Sequence, residues 1–393
     1  MDLAGLSALL TPGGWAVLES LPPYREETAM AVAEQLRSQG VDPALAAAAL
    51  TQSRLRARAR AKFGAFADGM LFTSEGLEQA TRLQVAAYHA QRYTAAGVER
   101  VADLGCGIGA DAMALAALDR AVLAVEPDEL TAAVATVNLR HFPDAEVRCE
   151  DVSTTDISGV QAVFLDPARR TASGRRVLDP RRASPSWDVV LGLAARIPAV
   201  GAKVAPGIPR DLPPRDTETQ WVSVDGDVVE AGVWFGPLAR AGVRRSALVV
   251  RGTETTCVDD VGLARPLVGP LGPYLYAPDG AVVRAGLVGH VATAVGGRLL
   301  DPSIAFVTAD RLVPTPLARV FLVEDSMPFG LKTLRTRLRD RGVGRVEILE
   351  RGSAVDVGQL RRSLRLGGER EASVVLTRVA GQQTALLCRP LAT

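Results

Sequence analysis

The sequence has few cysteines and no long apolar run, and each shortage excludes a class of protein. Its four cysteines are scattered and form no C-x-x-C pair, which argues against a disulfide framework or a zinc site and fits a reducing cytosol. No run approaches the 18 apolar residues of a membrane span, and the N-terminus lacks the pattern of a signal peptide. We therefore expect a cytoplasmic protein that binds neither membrane nor metal.

The chain also lacks an excess of charge of either sign. The chain has 45 basic and 44 acidic residues, and lysine occurs only at Lys62, Lys203 and Lys332. Almost all positive charge is therefore arginine. Because the total charge is close to zero, only the local distribution of charge can indicate a partner.

The stretch from 101 to 111 predicts a buried strand, a tight turn and a helix. Gly105, Gly107 and Gly109 allow backbone angles with positive φ and leave room for a ligand beside the backbone. A dinucleotide such as NAD would place its pyrophosphate there. Asp103, two residues earlier, instead suits the ammonium and sulfonium of S-adenosylmethionine. A glycine-rich turn without any ligand is the third alternative.

Strand and helix patterns alternate from about 98 to 252, which predicts a doubly wound parallel sheet with an antiparallel edge. The parallel strands are predicted to end at Leu104, Glu126, Glu150, Asp166 and Val204. Ligands in such sheets bind beyond the carboxyl ends of the strands. Asp103 would then face an ammonium group, Glu126 the ribose hydroxyls and Asp151 the adenine amino group.

Residues 1–97 predict helices, with Asp42-Pro43 opening one that ends at Gly64. Ser74 is predicted to cap another helix, which carries an apolar stripe through Leu77, Thr81, Val85 and Tyr88. His89 lies on this helix. We interpret it as a surface or packing histidine rather than a catalytic one.

The fourth strand leads into a strongly basic loop. Between 169 and 182 there are six arginines and one acid, and the loop should lie at the rim of the ligand site. An anionic substrate and an ordinary solvated loop both fit this pattern. The predicted substrate contacts in this loop are Arg169, Arg170, Arg175 and Arg176.

A Thr/Gly/Pro-rich stretch at 252–270 predicts a boundary before a smaller α/β domain. The predicted domains are therefore 1–97, 98–252 and 253–393. Between 331 and 370 there are eleven basic and five acidic residues. Lys332 and Arg335 belong to a basic helix face, for which nucleic-acid binding and plain solvation both remain open.

With these residues in place, the chain resembles the class I S-adenosylmethionine-dependent methyltransferases. The run 103–109 matches their first motif, Glu126 the second, Asp151 the third and Asp166-Pro167-Ala168-Arg169 the fourth. It is most similar to bacterial members that carry a C-terminal THUMP-like domain, and its segment 72–81 also resembles trimethylguanosine synthase. The resemblance implies S-adenosylmethionine as cofactor and RNA as substrate, in tRNA or rRNA. Thr73, Pro127, Val152 and Asp166 complete the predicted cofactor-binding residues.

The fourth motif departs from the pattern of enzymes that methylate amino groups of bases. Ala168 and Arg169 stand where those enzymes have proline and an aromatic residue. Asp166 and the carbonyl of Pro167 can still accept hydrogen bonds from an amino group, and Arg169 can stack on a base. We therefore expect transfer of a methyl group to a base nitrogen, with Asp166, Pro167 and Arg169 at the reacting centre. The alternatives are an NAD-dependent oxidoreductase, a methyltransferase of protein or small molecules, and a non-catalytic RNA-binding protein.

Overall fold

The computed structural model describes residues 2–167, 181, 185–263 and 266–391, and its contacts divide the chain into two compact units. One unit comprises Met1–Ala205 and Val233–Ala239, and the other comprises Pro206–Gly232 and Arg240–Thr393. Each unit contains both β-strands and α-helices. The predicted division into 1–97, 98–252 and 253–393 stays a prediction.

The first unit begins with helices that carry the predicted capping residues. The hydroxyl of Thr11 accepts a hydrogen bond from the backbone N–H of Gly14, and Pro12 occupies the first helical position. Asp42 caps α4 in the same way, and Gly64, with φ +57°, ends it. The helices are α1 (Leu3–Leu9), α2 (Pro12–Ser20), α3 (Ala29–Ser38), α4 (Pro43–Phe63), α5 (Ser74–Gln79) and α6 (Leu83–Ala95).

The single helix predicted from Ser74 onward is wrong, because the chain breaks between α5 and α6. Thr73, not Ser74, caps α5, since its hydroxyl accepts a hydrogen bond from the N–H of Gly76. Thr81 lies in the break, and its buried hydroxyl is bonded to side chains from other elements.

A parallel sheet follows in the first unit. Its strand order is β3-β2-β1-β4-β5, followed by residues 233–235 of a later strand. Three of the strands end slightly earlier than predicted, so that Glu126, Asp151 and Asp166 lie in the loops that follow them. The elements are β1 (Arg100–Leu104), α7 (Ala110–Ala116), β2 (Ala121–Val125), α8 (Glu129–Leu139), β3 (Ala145–Arg148), β4 (Ala162–Leu165), α9 (Trp187–Ala194) and β5 (Ala199–Val204).

The second unit opens with the predicted hairpin. β6 (Glu218–Val224) and β7 (Asp227–Phe235) are joined by Asp225-Gly226, both with positive φ, as a type I′ turn requires. β8 (Arg245–Arg251) pairs in parallel with β6, and β9 (Glu254–Asp259) pairs antiparallel with β8. The antiparallel edge is thus confirmed. β9 itself lies inside the stretch where composition predicted a boundary.

The rest of the second unit is the predicted smaller α/β domain. Its seven-stranded sheet has the order β11-β12-β10-β13-β16-β15-β14, and β14 and β15 pair in parallel. The elements are β10 (Tyr274–Pro278), α10 (Gly280–Ala285), α11 (Val288–Ala294), β11 (Arg298–Asp301), β12 (Ile304–Ala309), β13 (Ala318–Pro328), α12 (Leu331–Asp340), β14 (Val343–Glu350), α13 (Val357–Leu364), β15 (Arg370–Val379) and β16 (Gln382–Leu391).

Candidate functional site

Three glycines form the turn between β1 and α7. Gly105, Gly107 and Gly109 have φ angles of +84°, +55° and +87°, which favour glycine. A Cβ on Gly105 would lie 3.1 Å from the carbonyl oxygen of Asp166, whereas a Cβ on Gly107 would meet no atom within 4 Å. The first glycine therefore permits close approach of the backbone after β4. The second leaves the surface of the turn open to a ligand.

The carboxylate of Asp103 is fully buried at the end of β1. Within the part of the chain that the structure describes, neither of its oxygens has a hydrogen-bond partner of normal geometry, although the N–H of Ala112 faces it. Burial, with the charges of Asp111 and Asp166, raises the pKa of Asp103 well above its usual range. A buried carboxylate without such a partner is suited to bind the ammonium group of a ligand.

Glu126 follows β2 and is half-buried beside the glycine turn. Its two carboxylate oxygens accept hydrogen bonds from the backbone N–H groups of Gly107 and Asp128. Burial raises its pKa, and these hydrogen bonds oppose that rise. Because each carboxylate oxygen has two lone pairs, Glu126 can also accept from ribose hydroxyls.

Two buried amide side chains hold the segment before α5, and one of them, Asn138, also bonds to the glycine turn. Gln52 on α4 donates to the carbonyl of Phe72 at 2.8 Å and accepts from its N–H at 3.0 Å. Asn138 on α8 accepts from the N–H of Leu71 at 2.8 Å and donates to the carbonyl of Ile108 at 2.9 Å. Gln52 thus links the segment to α4, and Asn138 links it to the turn.

Helix α5 itself packs against the turn. A Cβ on Gly76 would lie 2.4 Å from Cγ2 of Ile108, so only glycine fits there. Lys62 on α4 donates to the carbonyls of Leu77, Glu78 and Ala80 at the end of α5. These contacts place the predicted cofactor residue Thr73, which caps α5, close to the turn.

A buried lysine holds the acid of the fourth motif. Nζ of Lys203, near the end of β5, lies 2.5 Å from Oδ2 of Asp166 and 2.8 Å from the hydroxyl of Thr81. The side chain of Lys203 is 5% exposed and that of Asp166 is 23% exposed. The carboxylate therefore faces the ligand side, while the ammonium lies beneath it.

The hydrogen-bonded chain continues below Thr81. Its hydroxyl donates to one oxygen of Asp111, and the other oxygen lies 2.8 Å from Nδ1 of His89. Burial acts to raise the pKa of Asp111, but the bonds and charges of His89 and Lys203 outweigh it and lower that pKa. The ring of His89 packs between Phe164 and Trp234 at 5.2 and 5.5 Å.

Sequence analysis missed this buried network. His89 was expected at the surface or in packing, and the structure buries it beside an acid. Thr81 was assigned to an apolar stripe, while Asp111 and Lys203 received no role. One indication was available: Lys203 is a charged residue inside an otherwise apolar strand, Ala199–Val204.

The other predicted cofactor residues lie in loops after β2 and β3. Pro127 and Asp151 are exposed, and Val152 is half-buried. Asp151 accepts hydrogen bonds from the hydroxyl and N–H of Ser153, which lower its pKa. Pro167 is buried directly after Asp166.

Arg169, Arg170, Arg175 and Arg176 lie outside the described residues, so their roles stay predictions.

The basic helices of the second unit form a partly exposed surface. Lys332, Arg361 and Arg362 are exposed, and no ion pair involves them among the residues described. Arg335 is half-buried and donates to the carbonyl of Ser363, which joins α12 to α13. Lys332 is thus available to a ligand, whereas Arg335 already has a structural contact.

The described residues contain neither a metal-binding cluster nor a membrane-spanning helix. In residues 2–167, 181, 185–263 and 266–391, no group of three or more His, Cys, Asp or Glu side chains is arranged to hold a metal ion. Within the same ranges, every helix is too short or too polar to cross a bilayer.

Two protein families match separate parts of the chain. A family described as THUMP domain-like matches residues 318–390, and a family described as a domain of unknown function matches residues 2–59. The first match confirms the predicted THUMP-like C-terminus.

Two curated relatives are each named as an uncharacterised S-adenosylmethionine-dependent methyltransferase, from Mycobacterium tuberculosis strains CDC 1551 and H37Rv. Each is 35% identical over 351 residues, covering 86% of this chain and 95% of its own length. A crystal structure of a protein assigned as a methyltransferase, from Porphyromonas gingivalis W83, is similar with a TM-score of 0.71 at 20% identity. That similarity covers 94% of this chain and all of the other, and it shows the fold.

Proposed function

The chain belongs to the S-adenosylmethionine-dependent methyltransferases, and from that premise we propose that it methylates a base nitrogen of RNA, in tRNA or rRNA. S-adenosylmethionine supplies an electrophilic methyl group carried on a sulfonium ion. The residues of the first unit have to hold that cofactor, orient the acceptor nitrogen and exclude water.

The buried acid and the glycine turn fit the cofactor. Asp103 is the candidate partner of its ammonium group, because an unpaired buried carboxylate is stabilised by a cation. Glu126 is the candidate partner of the ribose hydroxyls, and Asp151 of the adenine amino group. A pyrophosphate offers no cation to Asp103, which argues against NAD.

The position of Asp166 supports a nitrogen acceptor. It directly follows β4, its backbone touches Gly105 of the turn, and its carboxylate is partly exposed. A carboxylate there can accept a hydrogen bond from an amino group and direct the nitrogen lone pair at the methyl group. The proton can leave after the new C–N bond has formed.

The observation that carries RNA as substrate is the basic surface of the THUMP domain-like segment. Lys332, Arg361 and Arg362 lie exposed within the matched residues 318–390. THUMP domains accompany RNA-modifying enzymes, and exposed cations of this kind contact phosphates without reading sequence.

The test is transfer of labelled methyl from S-adenosylmethionine to total RNA by the full-length protein, followed by nucleoside analysis. We expect one labelled nucleoside that carries a methyl group on a base nitrogen. The Asp166→Asn variant should bind the cofactor normally and transfer at least about 100-fold more slowly. Label in protein or in small molecules, with none in RNA, would refute the RNA proposal.

A further inference from the structure

Among the residues that the structure describes, three further acids interact with the pair formed by Lys203 and Asp166. The charge of Asp166 raises the pKa of Asp103 at the end of β1 and of Glu126 after β2, and Asp111 on α7 lies two hydrogen bonds away from Lys203 through Thr81. Nζ of Lys203 contacts the carboxylate of Asp166 directly. Carboxylates placed close together favour protonation of one of them unless a cation balances the charge.

We propose that Lys203 is a positioning residue for methyl transfer, which keeps the Asp166 carboxylate ionised and aimed at the acceptor nitrogen. The inference rests on the proposed function, in which Asp166 accepts a hydrogen bond from an amino group. Only the ionised carboxylate is purely an acceptor, since a protonated one presents an O–H donor to the same group.

Thr81, Asp111 and His89 hold Lys203 in turn. The Thr81 hydroxyl accepts from the ammonium and donates to Asp111, so both of its hydrogen-bonding directions are used. Asp111 supplies compensating negative charge to the buried ammonium, and His89 fixes the other oxygen of Asp111. An ammonium on a flexible four-carbon stem needs such contacts to stay in one place.

The experiment compares full-length wild type with Lys203→Met, Lys203→Arg and Thr81→Val. Carbon-13 NMR on protein labelled at aspartate carboxyls follows the titration of Asp166, and the Asp166→Asn spectrum identifies its resonance. The pH dependence of kcat is measured in parallel, with labelled S-adenosylmethionine and the RNA that accepts label.

In Lys203→Met we expect the titration of Asp166 to move to higher pH. The kcat at neutral pH should fall about 100-fold and recover as the pH is raised, while KM for RNA changes little. Lys203→Arg keeps the charge and should restore part of the rate. Thr81→Val keeps the lysine but removes the hydroxyl that holds it. It should shift the Asp166 titration and the pH dependence of kcat in the same direction as Lys203→Met does, but by a smaller amount.

An unchanged Asp166 titration in folded Lys203→Met would overturn the inference, as would a loss of kcat that is equal at every pH. If Lys203→Met does not fold, Thr81→Val decides the point by the same two curves. If wild type transfers no label to RNA, the proposed function has failed. In that case the Asp166 titration alone still decides whether Lys203 holds the acid ionised.

Discussion

Oε2 of Glu126 lies 3.1 Å from the backbone nitrogen of Gly107. The acid that follows β2 therefore holds the middle of the glycine turn that follows β1. The same carboxylate is the candidate partner of the cofactor ribose, so cofactor binding and the shape of the turn depend on one side chain.

Glu126→Gln should weaken S-adenosylmethionine binding by about tenfold or more, because charge-assisted hydrogen bonds are worth about 1.5–3 kcal/mol each. Calorimetry on the purified protein measures it. Glu129→Gln is the matched control, since Glu129 is an exposed acid in the first turn of α8 and should leave affinity unchanged. Equal effects of the two substitutions would place the ribose elsewhere.

Asp103→Asn should stabilise the cofactor-free protein at neutral pH and weaken cofactor binding by about tenfold or more. Burial raises the pKa of Asp103, so the folded state binds its proton more tightly than the unfolded state does. Its contribution to stability is therefore lost as the pH rises from about 4 through the raised pKa.

Thermal unfolding against pH, with and without S-adenosylmethionine, tests both parts of this prediction. The gap in Tm between variant and wild type should widen with pH without cofactor and narrow or reverse when cofactor is added. A variant that binds the cofactor normally would show that Asp103 does not face the ammonium group.

Lys62→Met should loosen the segment from 70 to 80 and weaken cofactor binding. The ammonium of Lys62 donates to three carbonyls at the end of α5, and methionine fills a similar volume without any donor. Hydrogen exchange should become faster in this segment, while α4 should exchange as in wild type. Arg58→Met, at an exposed position of the same helix, is the control, and equal exchange in both variants would contradict the role of Lys62.

Replacing Lys332, Arg361 and Arg362 by glutamine should reduce RNA affinity and flatten its dependence on salt. Each lost phosphate contact lowers the log–log slope by about 0.7–0.9. Salt titrations of the triple variant and wild type measure the change. Arg389→Gln is the control, because Arg389 on β16 is already paired with Glu324 at 3.2 Å. An unchanged slope in the triple variant would show that this surface does not contact RNA.

Local physical chemistry made much of this protein predictable. The turn at 105–109 needs glycine because its φ angles are positive. Asp42 begins α4 because its carboxylate accepts hydrogen bonds from backbone N–H groups of the first turn, and Gly64 ends it with a positive φ. The alternation of strands and helices predicts a parallel sheet, and acids at the strand ends follow from the same pattern. Each of these features depends on neighbours within a few residues, so the sequence reveals it directly.

Only the tertiary structure decided which buried charges meet. Lys203 and Thr81 are 122 residues apart, and Lys203 and Asp166 are 37 apart, so no local spacing relates them. The hydroxyl of Thr81, in the break between α5 and α6, bonds to groups on α7 and β5, and helical periodicity in the sequence contains no information on such distant partners. Arg335 is a further example. Its helical spacing predicts a place on a basic face, but in the structure its guanidinium donates a hydrogen bond to the carbonyl of Ser363. Contacts between such side chains depend on how the helices and strands pack, because the contacting residues lie far apart in the sequence.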